Sequence, residues 1–541
     1  MTRWRGNPWA ILLTLSLGFF MTLLDLTIVN IAFPSMVDRL GASLDQVLWV
    51  SNAYILVLAV LLITAGRLGD VWGKKTLFMA GVTLFTLASL ACGLAQDPAQ
   101  LIAARAVQGL GAALLMPQTL SMIIATFPAE RRGAALGVWG AVAGVSTVAG
   151  PTLGGLLVSW LDWRWIFFVN LPIGVLVLAM AAPILPAHVK GVRHRFDVTG
   201  VVLATAALFC LVFALTEGQK HAWNGGIVAL FAGAAVLLAV FLAQQKRRQD
   251  REPLVPFSLF RDRNFTVLNL VGAIVSFGMI GMFLPLTFYL QSVLGYSALQ
   301  AGLIIAPTSV VSMLLAPLAG RLSDRVGGKY LLMGGLVLYG SGMLWIITIA
   351  RVDTPWTSFI VPFIVAGAGM GGLFAPMATE ATRRVPPALA GAASGVNNTV
   401  RQVGSVLASA AIGAVLQNRL TVSLADEAER RAAALPPDYR EPFTAGFADA
   451  ARGGLEIGAS HHGARVPDGL PPDVAQRAQE LGAQVFTHGF VDALKPTMLL
   501  PAVLIFVGAA ACLAVRSYRA PVPQAPAAEP VEQPEGQPRV R

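Results

Sequence analysis

Two residues of opposite charge occur where a membrane-crossing chain could carry protons. Asp25 lies in an apolar segment, nine residues before Pro34, and therefore about 13 Å from that end of a helix that rises 1.5 Å per residue. Arg105 lies at a similar depth in a later apolar segment. A carboxylate that is paired in one state and enclosed by apolar groups in another can bind and release a proton. The alternative is a fixed ion pair that holds two helices together.

Three further polar residues within apolar segments are candidates for lining a polar cavity: Asn30, Gln108 and Arg401. Asn30 and Gln108 could complete a polar cluster around Asp25, or they could simply hydrogen-bond between helices. Arg401 is either a functional residue or one whose long side chain reaches the membrane surface. The sequence leaves these alternatives open.

A charged ten-residue turn occurs twice between apolar segments, at 66–75 and 320–329, with six of ten positions identical. This repeat predicts two related halves, each with the same link between neighbouring membrane helices. Its Asp can accept hydrogen bonds from a helix N-terminus, and its basic residues can hold the turn at an anionic membrane surface. We expect the second copy to contribute less, because it departs from the fuller first copy. The candidate gating residues are Gly66, Arg67, Asp70, Gly73, Lys74, Gly320, Arg321, Asp324 and Gly327.

Membrane helices must position these residues. The chain has 541 residues, of which 55% are hydrophobic and 13% charged, so it lacks the polar surface of a soluble protein of this size. Fourteen apolar stretches are long enough to cross a membrane. Most basic residues fall on one side of these stretches, which predicts a multi-pass protein of the cell (inner) membrane with both termini in the cytoplasm. They form no helical stripe, so membrane lipids rather than nucleic acid are the expected partners.

Motifs for enzymatic chemistry are missing. The sequence has no G-x-x-x-x-G-K-[ST] loop, and its three cysteines are isolated from one another. Gly367, Gly369 and Gly372 form a G-x-G-x-x-G pattern, but it lies inside an apolar segment, where close helix packing explains it better. We therefore expect no enzyme, no metal site and no bound cofactor.

The apolar segments and the polar stretches between them divide the chain into four regions. Residues 1–186 are predicted to form a six-helix bundle, and 187–265 two inserted helices with a basic cytoplasmic linker. A second six-helix bundle is predicted over 266–516, with a polar outer loop at 417–494 that holds short helices. The Pro-rich tail at 517–541 is predicted to be disordered.

Four further motifs follow in order through the first half, at residues 24–34, 105–111, 144–155 and 163–172. Together with the paired turns, they resemble the motifs of the fourteen-span drug:proton antiporter branch of the major facilitator superfamily. One departure is Phe33, where Leu is more usual. The fifth-helix motif, which is similar to the antiporter motif of that branch, contains Gly144, Gly150, Pro151, Gly154 and Gly155.

The resemblance implies an all-α membrane protein with the major facilitator fold: 14 transmembrane helices, as two six-helix bundles plus two inserted helices. It implies alternating access, with Asp25 and Arg105 in proton coupling and the proton gradient, rather than a cofactor, as the energy source. The expected function is export of small lipophilic drugs or antibiotics, cationic or neutral, as in quaternary-ammonium and multidrug exporters.

Three alternatives remain at this stage. The chain could be a dedicated exporter of an endogenous metabolite or lipid-like molecule. Either kind of exporter could work with a membrane-fusion adaptor. A non-transporting membrane sensor or scaffold is the alternative of another class, although a scaffold would have no need of Asp25.

Overall fold

The computed structural model describes residues 6–42, 44–128, 131–186, 197–218, 221, 223–251, 253–452 and 472–516. Helices and the turns between them make up these ranges, and no strand occurs within them. The tail at 517–541, which was predicted to be disordered, lies outside the described residues.

Fourteen long helices follow one another in three groups. The first group is α1 Pro8–Ile28, α2 Leu44–Trp72, α3 Lys74–Leu94, α4 Pro98–Thr126, α5 Arg132–Trp160 and α6 Asn170–Ile184. Two inserted helices follow, α7 Val198–Glu217 and α8 Gly225–Arg247. The last group is α9 Arg263–Phe288, α10 Ala298–Val326, α11 Lys329–Ile349, α12 Ile360–Gly371, α13 Ala390–Ala432 and α14 Pro472–Ala511.

These helices are long and apolar enough to form a multi-pass membrane protein. Thirteen candidate spans are found among the described residues, and α5 adds a fourteenth because its 29 residues carry no charge after Arg132. The short helices Trp165–Phe168 and Phe374–Thr382 extend the spans of α6 and α12. The predicted all-α membrane fold with 14 spans is confirmed.

Short polar signals begin and end the helices. The Asp97 side chain accepts a hydrogen bond from the Gln100 backbone N–H at 2.9 Å, which caps the start of α4. Ser297 and Gln300 form a reciprocal capping box at the start of α10. Gly73 and Gly327 occupy corresponding positions of the two turns and have φ of 98° and 88°, values that favour glycine. The repeat in sequence is therefore also a repeat in backbone conformation.

Each half packs around its own apolar core, and several helix pairs join the halves. In the first half α4 packs against α2 and α3, and α1 packs against α5; in the second, α9 packs against α13, and α12 against α10 and α11. The halves are joined most extensively by α5 with α10 and α2 with α13, and further by α4 with α13 and α5 with the helix Phe374–Thr382. The inserted helices α7 and α8 pack on each other at the side of α2. We call the membrane side that holds both ten-residue turns the turn side, and the other the far side.

The region 417–494 differs from the sequence prediction of a polar loop with short helices. In the structure α13 continues to Ala432, α14 begins at Pro472, and a helix at Pro437–Arg452 packs against α13. The reason is a buried apolar row at four-residue spacing that the polar composition obscured. This row is Leu416, Leu420, Leu424, Ala428 and Ala432. It joins the core of the second half, so the two membrane helices extend beyond the far side as packed helices.

Candidate functional site

The structure brings Asp25 and Arg105 together inside the first half. An Arg105 guanidinium N–H donates to the Asp25 carboxylate at 2.5 Å, linking α1 to α4. Their exposed fractions are 0% and 1%, so water does not reach the pair in this state. The estimate of similar depth from the sequence is therefore correct. The pair is buried within the helix bundle of the first half.

A hydrogen-bond network completes the coordination of the Asp25 carboxylate. The Gln108 side-chain N–H₂ donates to one carboxylate oxygen at 2.9 Å, and the Asn170 side-chain N–H₂ donates to the same oxygen at 3.2 Å. Asn170 also donates to the Ser89 hydroxyl at 3.1 Å. The network thereby joins α1, α3, α4 and α6, and it supplies several hydrogen-bond donors to one carboxylate.

Arg105 has further partners besides Asp25. Its Nε–H donates to the Val50 carbonyl of α2 at 2.9 Å, and its guanidinium lies 4.4 Å from the centre of the Tyr54 ring. Gln108 accepts another guanidinium N–H at 2.7 Å. The charge of Arg105 is thus neutralised by a carboxylate and solvated by protein dipoles, which is what a buried arginine requires.

Sequence reasoning anticipated part of this network. Gln108 belongs to it, whereas the Asn30 side chain lies outside the described residues. Asn170, Ser89 and Tyr54 were not singled out as site residues. Asn170 lies in the motif at 163–172, where it is a polar residue within an apolar segment. This position could have identified it as a candidate site residue.

The acidic residues of the two turns cap helices of the opposite half. The Asp70 carboxylate accepts the backbone N–H groups of Gly391 and Ala392 at 3.2 and 3.1 Å, at the start of α13. In the same way, Asp324 accepts the N–H groups of Gly133 and Ala134 at 2.8 and 2.9 Å, at the start of α5. Each carboxylate also faces the positive end of the helix dipole. The turns therefore fasten the two halves to each other reciprocally.

The other turn residues support these caps. Arg67 and Lys74 lie on either side of the Asp70 carboxylate, each at 3.8 Å. A Cβ on Gly66 would lie 2.6 Å from the Gly391 carbonyl oxygen, and one on Gly320 would collide with the Gly133 carbonyl oxygen. These glycines allow the close approach of the halves. Arg321 is exposed.

The final lysine of each turn caps a helix of its own half. Lys75 donates to the carbonyl oxygens of Ala182 and Leu185 at the end of α6, at 2.6 and 3.0 Å. Lys329, the corresponding residue of the second copy, donates to the Leu513 carbonyl after α14 at 2.9 Å. A cation at a helix C-terminus is favourable. Each turn thus connects the last helix of its own half with a helix start in the other half.

Hydrogen bonds join the two halves on the turn side and in the adjoining part of the membrane. Besides the two caps, Arg132 donates to the Thr382 carbonyl at 3.2 Å, and the Ser394 hydroxyl donates to the Pro117 carbonyl at 2.8 Å. On the far side, by contrast, a Cβ on Gly155 would only reach Leu299 at 4.0 Å. The halves are therefore fastened on the turn side.

The glycines of α5 serve two interfaces. A Cβ on Gly144 would lie 3.2 Å from the Ser309 carbonyl of α10, in the other half. Gly150 and Gly154 instead face α1: a Cβ on Gly154 would lie 2.9 Å from Ile28, and one on Gly150 would collide with Thr27. Despite Gly150 and Pro151, α5 remains one helix from Arg132 to Trp160. The Pro151 side chain lies outside the described residues.

Arg401 lies in α13, eleven residues after its start at Ala390, and so about 16 Å from the turn-side end. Its guanidinium lies 4.9 Å from the centre of the Phe374 ring. Its Nε is buried and has no hydrogen-bond partner among the described residues. The structure therefore places Arg401 deep in the membrane, where it does not reach the surface as a snorkelling residue would.

Asp197 joins the two inserted helices at the turn side, just before α7. Burial alone would raise the pKa of its carboxyl group. Hydrogen bonds from the Gly200 N–H and the Gln245 and Gln244 side chains, with the Arg248 charge, outweigh this effect and hold its pKa below the usual range. Asp197 is thus a charged anchor for the α7–α8 hairpin.

Comparison with known proteins places this arrangement in a family. A model of the Major Facilitator Superfamily matches residues 15–409. An uncharacterized MFS-type transporter of Mycobacterium tuberculosis is 44% identical over 451 residues, covering 81% of this chain and 77% of the relative. The tetracenomycin C resistance and export protein of Streptomyces glaucescens is 36% identical over 418 residues, covering 77% of each chain.

A solved structure gives the same result for the fold. The human organic anion transporter MFSD10 (TETRAN) superposes with a TM-score of 0.58, covering 92% of this chain and 99% of that chain at 12% identity. Similarity at this level of identity shows the fold alone. With its paired turns, its helix arrangement and these relatives, the chain belongs to the major facilitator superfamily of multi-pass membrane transporters.

Proposed function

We propose that this chain exports small lipophilic drugs or antibiotics by alternating access, in exchange for protons. The observation that carries alternating access is the reciprocal capping by Asp70 and Asp324. Capping bonds are individually modest and can break and re-form, so they suit a closure that opens once in each cycle. Export, rather than import, is supported by the tetracenomycin C resistance and export protein among the relatives.

The turn side is proposed to face the cytoplasm, with both termini on that side. Lys74, Lys75 and Lys329 lie in the turns there, and basic residues are enriched on the cytoplasmic side of membrane proteins. The described state is then closed to the cytoplasm. A substrate released to the outside would leave from this state, before the halves rearrange.

Proton coupling is proposed at Asp25. Its carboxylate is held by Arg105, Gln108 and Asn170, so protonation would weaken several charge-assisted bonds at once. Such a change could alter how α1, α4 and α6 pack, and thereby link proton binding to the position of the bundle. The competing interpretation is a permanent ion pair that stabilises the first half.

The experiment that separates these interpretations uses two variants. Asp25→Asn alone leaves Arg105 without its carboxylate, which destabilises a protein by about 3–5 kcal/mol when a buried pair is broken. The double variant Asp25→Asn/Arg105→Gln removes both charges and should restore much of the thermal stability. Proton-driven efflux from everted vesicles should be lost in both variants.

A compound-accumulation screen in a pump-deficient host would supply the substrate for this test, with tetracenomycin C among the compounds. Lost efflux in the stable double variant supports coupling at Asp25. If efflux instead recovers together with stability, the pair is structural and the coupling site lies elsewhere.

A dedicated exporter of an endogenous metabolite is the second candidate. The relative named for tetracenomycin C resistance and export favours it, because that name refers to a single compound. A narrow profile in the accumulation screen would indicate this function, and a broad one a multidrug exporter. If a membrane-fusion adaptor is required, cells should show efflux whereas the purified protein in vesicles should not.

A further inference from the structure

We propose that Arg401 is the recognition site for an acidic group on the substrate, so that the chain exports lipophilic acids. This inference rests on the proposed export function and names its substrate class. Its basis is a positive charge deep in the membrane for which the described residues provide no counter-charge.

The surroundings of Arg401 place it near the middle of the membrane in depth. A Cβ on Gly272 of α9 would lie 3.4 Å from the Arg401 Cγ, and Phe374 lies beneath the guanidinium. Gly272 is nine residues from the start of α9, and Phe374 eight residues from Thr382 at the turn-side end. Three helices thus give a depth of about 12–16 Å, near the middle of a hydrocarbon core that is about 30 Å thick.

Arg401 is also close to the interface between the halves. Phe374, whose ring it covers, would be 3.6 Å from a Cβ on Gly140 of α5, in the first half. Helix α13 itself packs against α2 of the first half. A group that binds Arg401 would therefore lie where alternating access must act, between two bundles that move relative to each other.

Four acidic residues of the bundles are engaged elsewhere. Asp25 is paired with Arg105, Asp70 and Asp324 cap helix starts, and Glu380 accepts the Gly328 N–H at 2.7 Å. The ring of Phe374 offers the guanidinium a cation–π contact only, which compensates a desolvated charge incompletely. An ionisable residue inside a membrane protein generally marks a ligand or ion pathway.

The chemistry of the site selects the ligand class. A guanidinium has a planar set of N–H donors that matches a carboxylate, and the unpartnered Nε of Arg401 belongs to that set. The neighbouring Phe374, Met377 and Gly272 present apolar surface. The occupant that fits is an apolar compound with one acidic group. This differs from the cationic or neutral substrate that the family resemblance implied.

Binding to the purified full-length chain tests this directly. We would measure the Kd of 9-anthracenecarboxylate, of its uncharged amide and of 9-(aminomethyl)anthracene by equilibrium dialysis at pH 7. The wild-type chain should bind the acid at least tenfold more tightly than the amide or the amine. Arg401→Gln should remove that preference, and Arg401→Lys should retain part of it. Arg419→Gln, an exposed arginine of the same helix, is the matched control and should keep the full preference.

Thermal unfolding without ligand provides a second measurement. A charge that lies inside the membrane without a counter-charge destabilises the folded state, so Arg401→Gln should raise the melting temperature. A structural strut would give the opposite result. Equal binding of acid and amide by the wild type, tighter binding of the amine, binding of none of the three, or an acid preference that survives Arg401→Gln would each overturn the inference.

Transport in vesicles separates this inference from the proposed function. If the acid binds through Arg401 but no compound moves when a pH gradient is imposed, proton-driven export is wrong and recognition by Arg401 stands. If the amide and amine are exported as fast as the acid, export stands and recognition by Arg401 is wrong.

Discussion

Replacing Asp324 by Asn should open the turn side of the transporter. In the described state its two carboxylate oxygens accept the N–H groups of Gly133 and Ala134, at 2.8 and 2.9 Å. Asn has one acceptor oxygen, so its N–H₂ group would face one of these donors and leave it unsatisfied. The substitution also removes the negative charge from the N-terminus of α5.

The magnitude follows from these two losses. A hydrogen bond to a charged group contributes about 1.5 kcal/mol or more, and a charge at a helix terminus about 0.3–1 kcal/mol. Together they amount to about 2 kcal/mol, which shifts the ratio of the closed to the open turn side about thirtyfold. This shift would move a state populated at a few per cent to about half of the molecules.

Distances between spin labels on the two halves would measure the shift. Trp72 at the end of α2 and Val326 at the end of α10 are exposed, lie on the turn side and belong to different halves. With labels at these positions, Asp324→Asn should increase the population with the longer distance. Asp162→Asn, which removes an acid paired with Arg39 within the far side of the first half, is the control and should leave the distances unchanged.

The same measurement can refute the reasoning. An unchanged distance distribution in Asp324→Asn would show that the cap does not hold the closed state. A weaker substrate affinity with no change in the distances would give Asp324 a role in binding instead. Asp70→Asn tests the other cap, where the hydrogen bonds are longer at 3.1–3.2 Å. The effect at Asp324 should therefore be at least as large, contrary to the expectation that the second turn contributes less.

Two further predictions concern stability and packing. The pKa of Asp197 is depressed in the folded state, so its carboxylate stabilises the fold above the unfolded pKa near pH 4. This stabilisation is lost as the pH falls through the folded-state pKa. Acidification should therefore lower the melting temperature of the wild type more than that of Asp197→Asn. Gly320→Ala should shift the labelled distances toward the open turn side, because its Cβ would collide with Gly133, whereas Gly233→Ala, where no atom lies within 4 Å, should change nothing. Unchanged label distances in Gly320→Ala would show that α10 and α5 can move apart at this point while the turn side stays closed.

The sequence predicted those features that depend on position along a helix. The repeated turn indicated two halves, and counting residues gave the common depth of Asp25 and Arg105. Hydrophobic length predicted the spans, because a membrane requires each helix to satisfy its own backbone. The polar composition of 417–494 hid the continued helices, since the buried apolar residues of that part of α13 recur only at every fourth position.

Features that depend on how each helix is rotated about its axis, and on which helices contact one another, could not be predicted from position along the sequence. The partners of Asp70 and Asp324 are backbone N–H groups of Gly391 and Gly133, which carry no side-chain signal. They are identified only once the two halves are assembled. The sequence could likewise place Arg401 in a span, but its missing partner depends on which neighbours face it.

The two arginines inside the bundles, Arg105 and Arg401, bear on the energetics of the proposed export. Arg105 is neutralised by Asp25, whereas Arg401 adds an unpaired positive charge to the empty transporter. An acidic substrate would cancel that charge on binding, so the loaded protein would cross between its two states as a neutral unit at that site. Export of such an anion is equivalent to moving one positive charge into the cell, and the entering proton carries a second one. A membrane potential that is negative inside favours each movement by about 2.3 kcal/mol per 100 mV. The charge that makes the empty state costly therefore allows both the potential and the proton gradient to drive export of an acid.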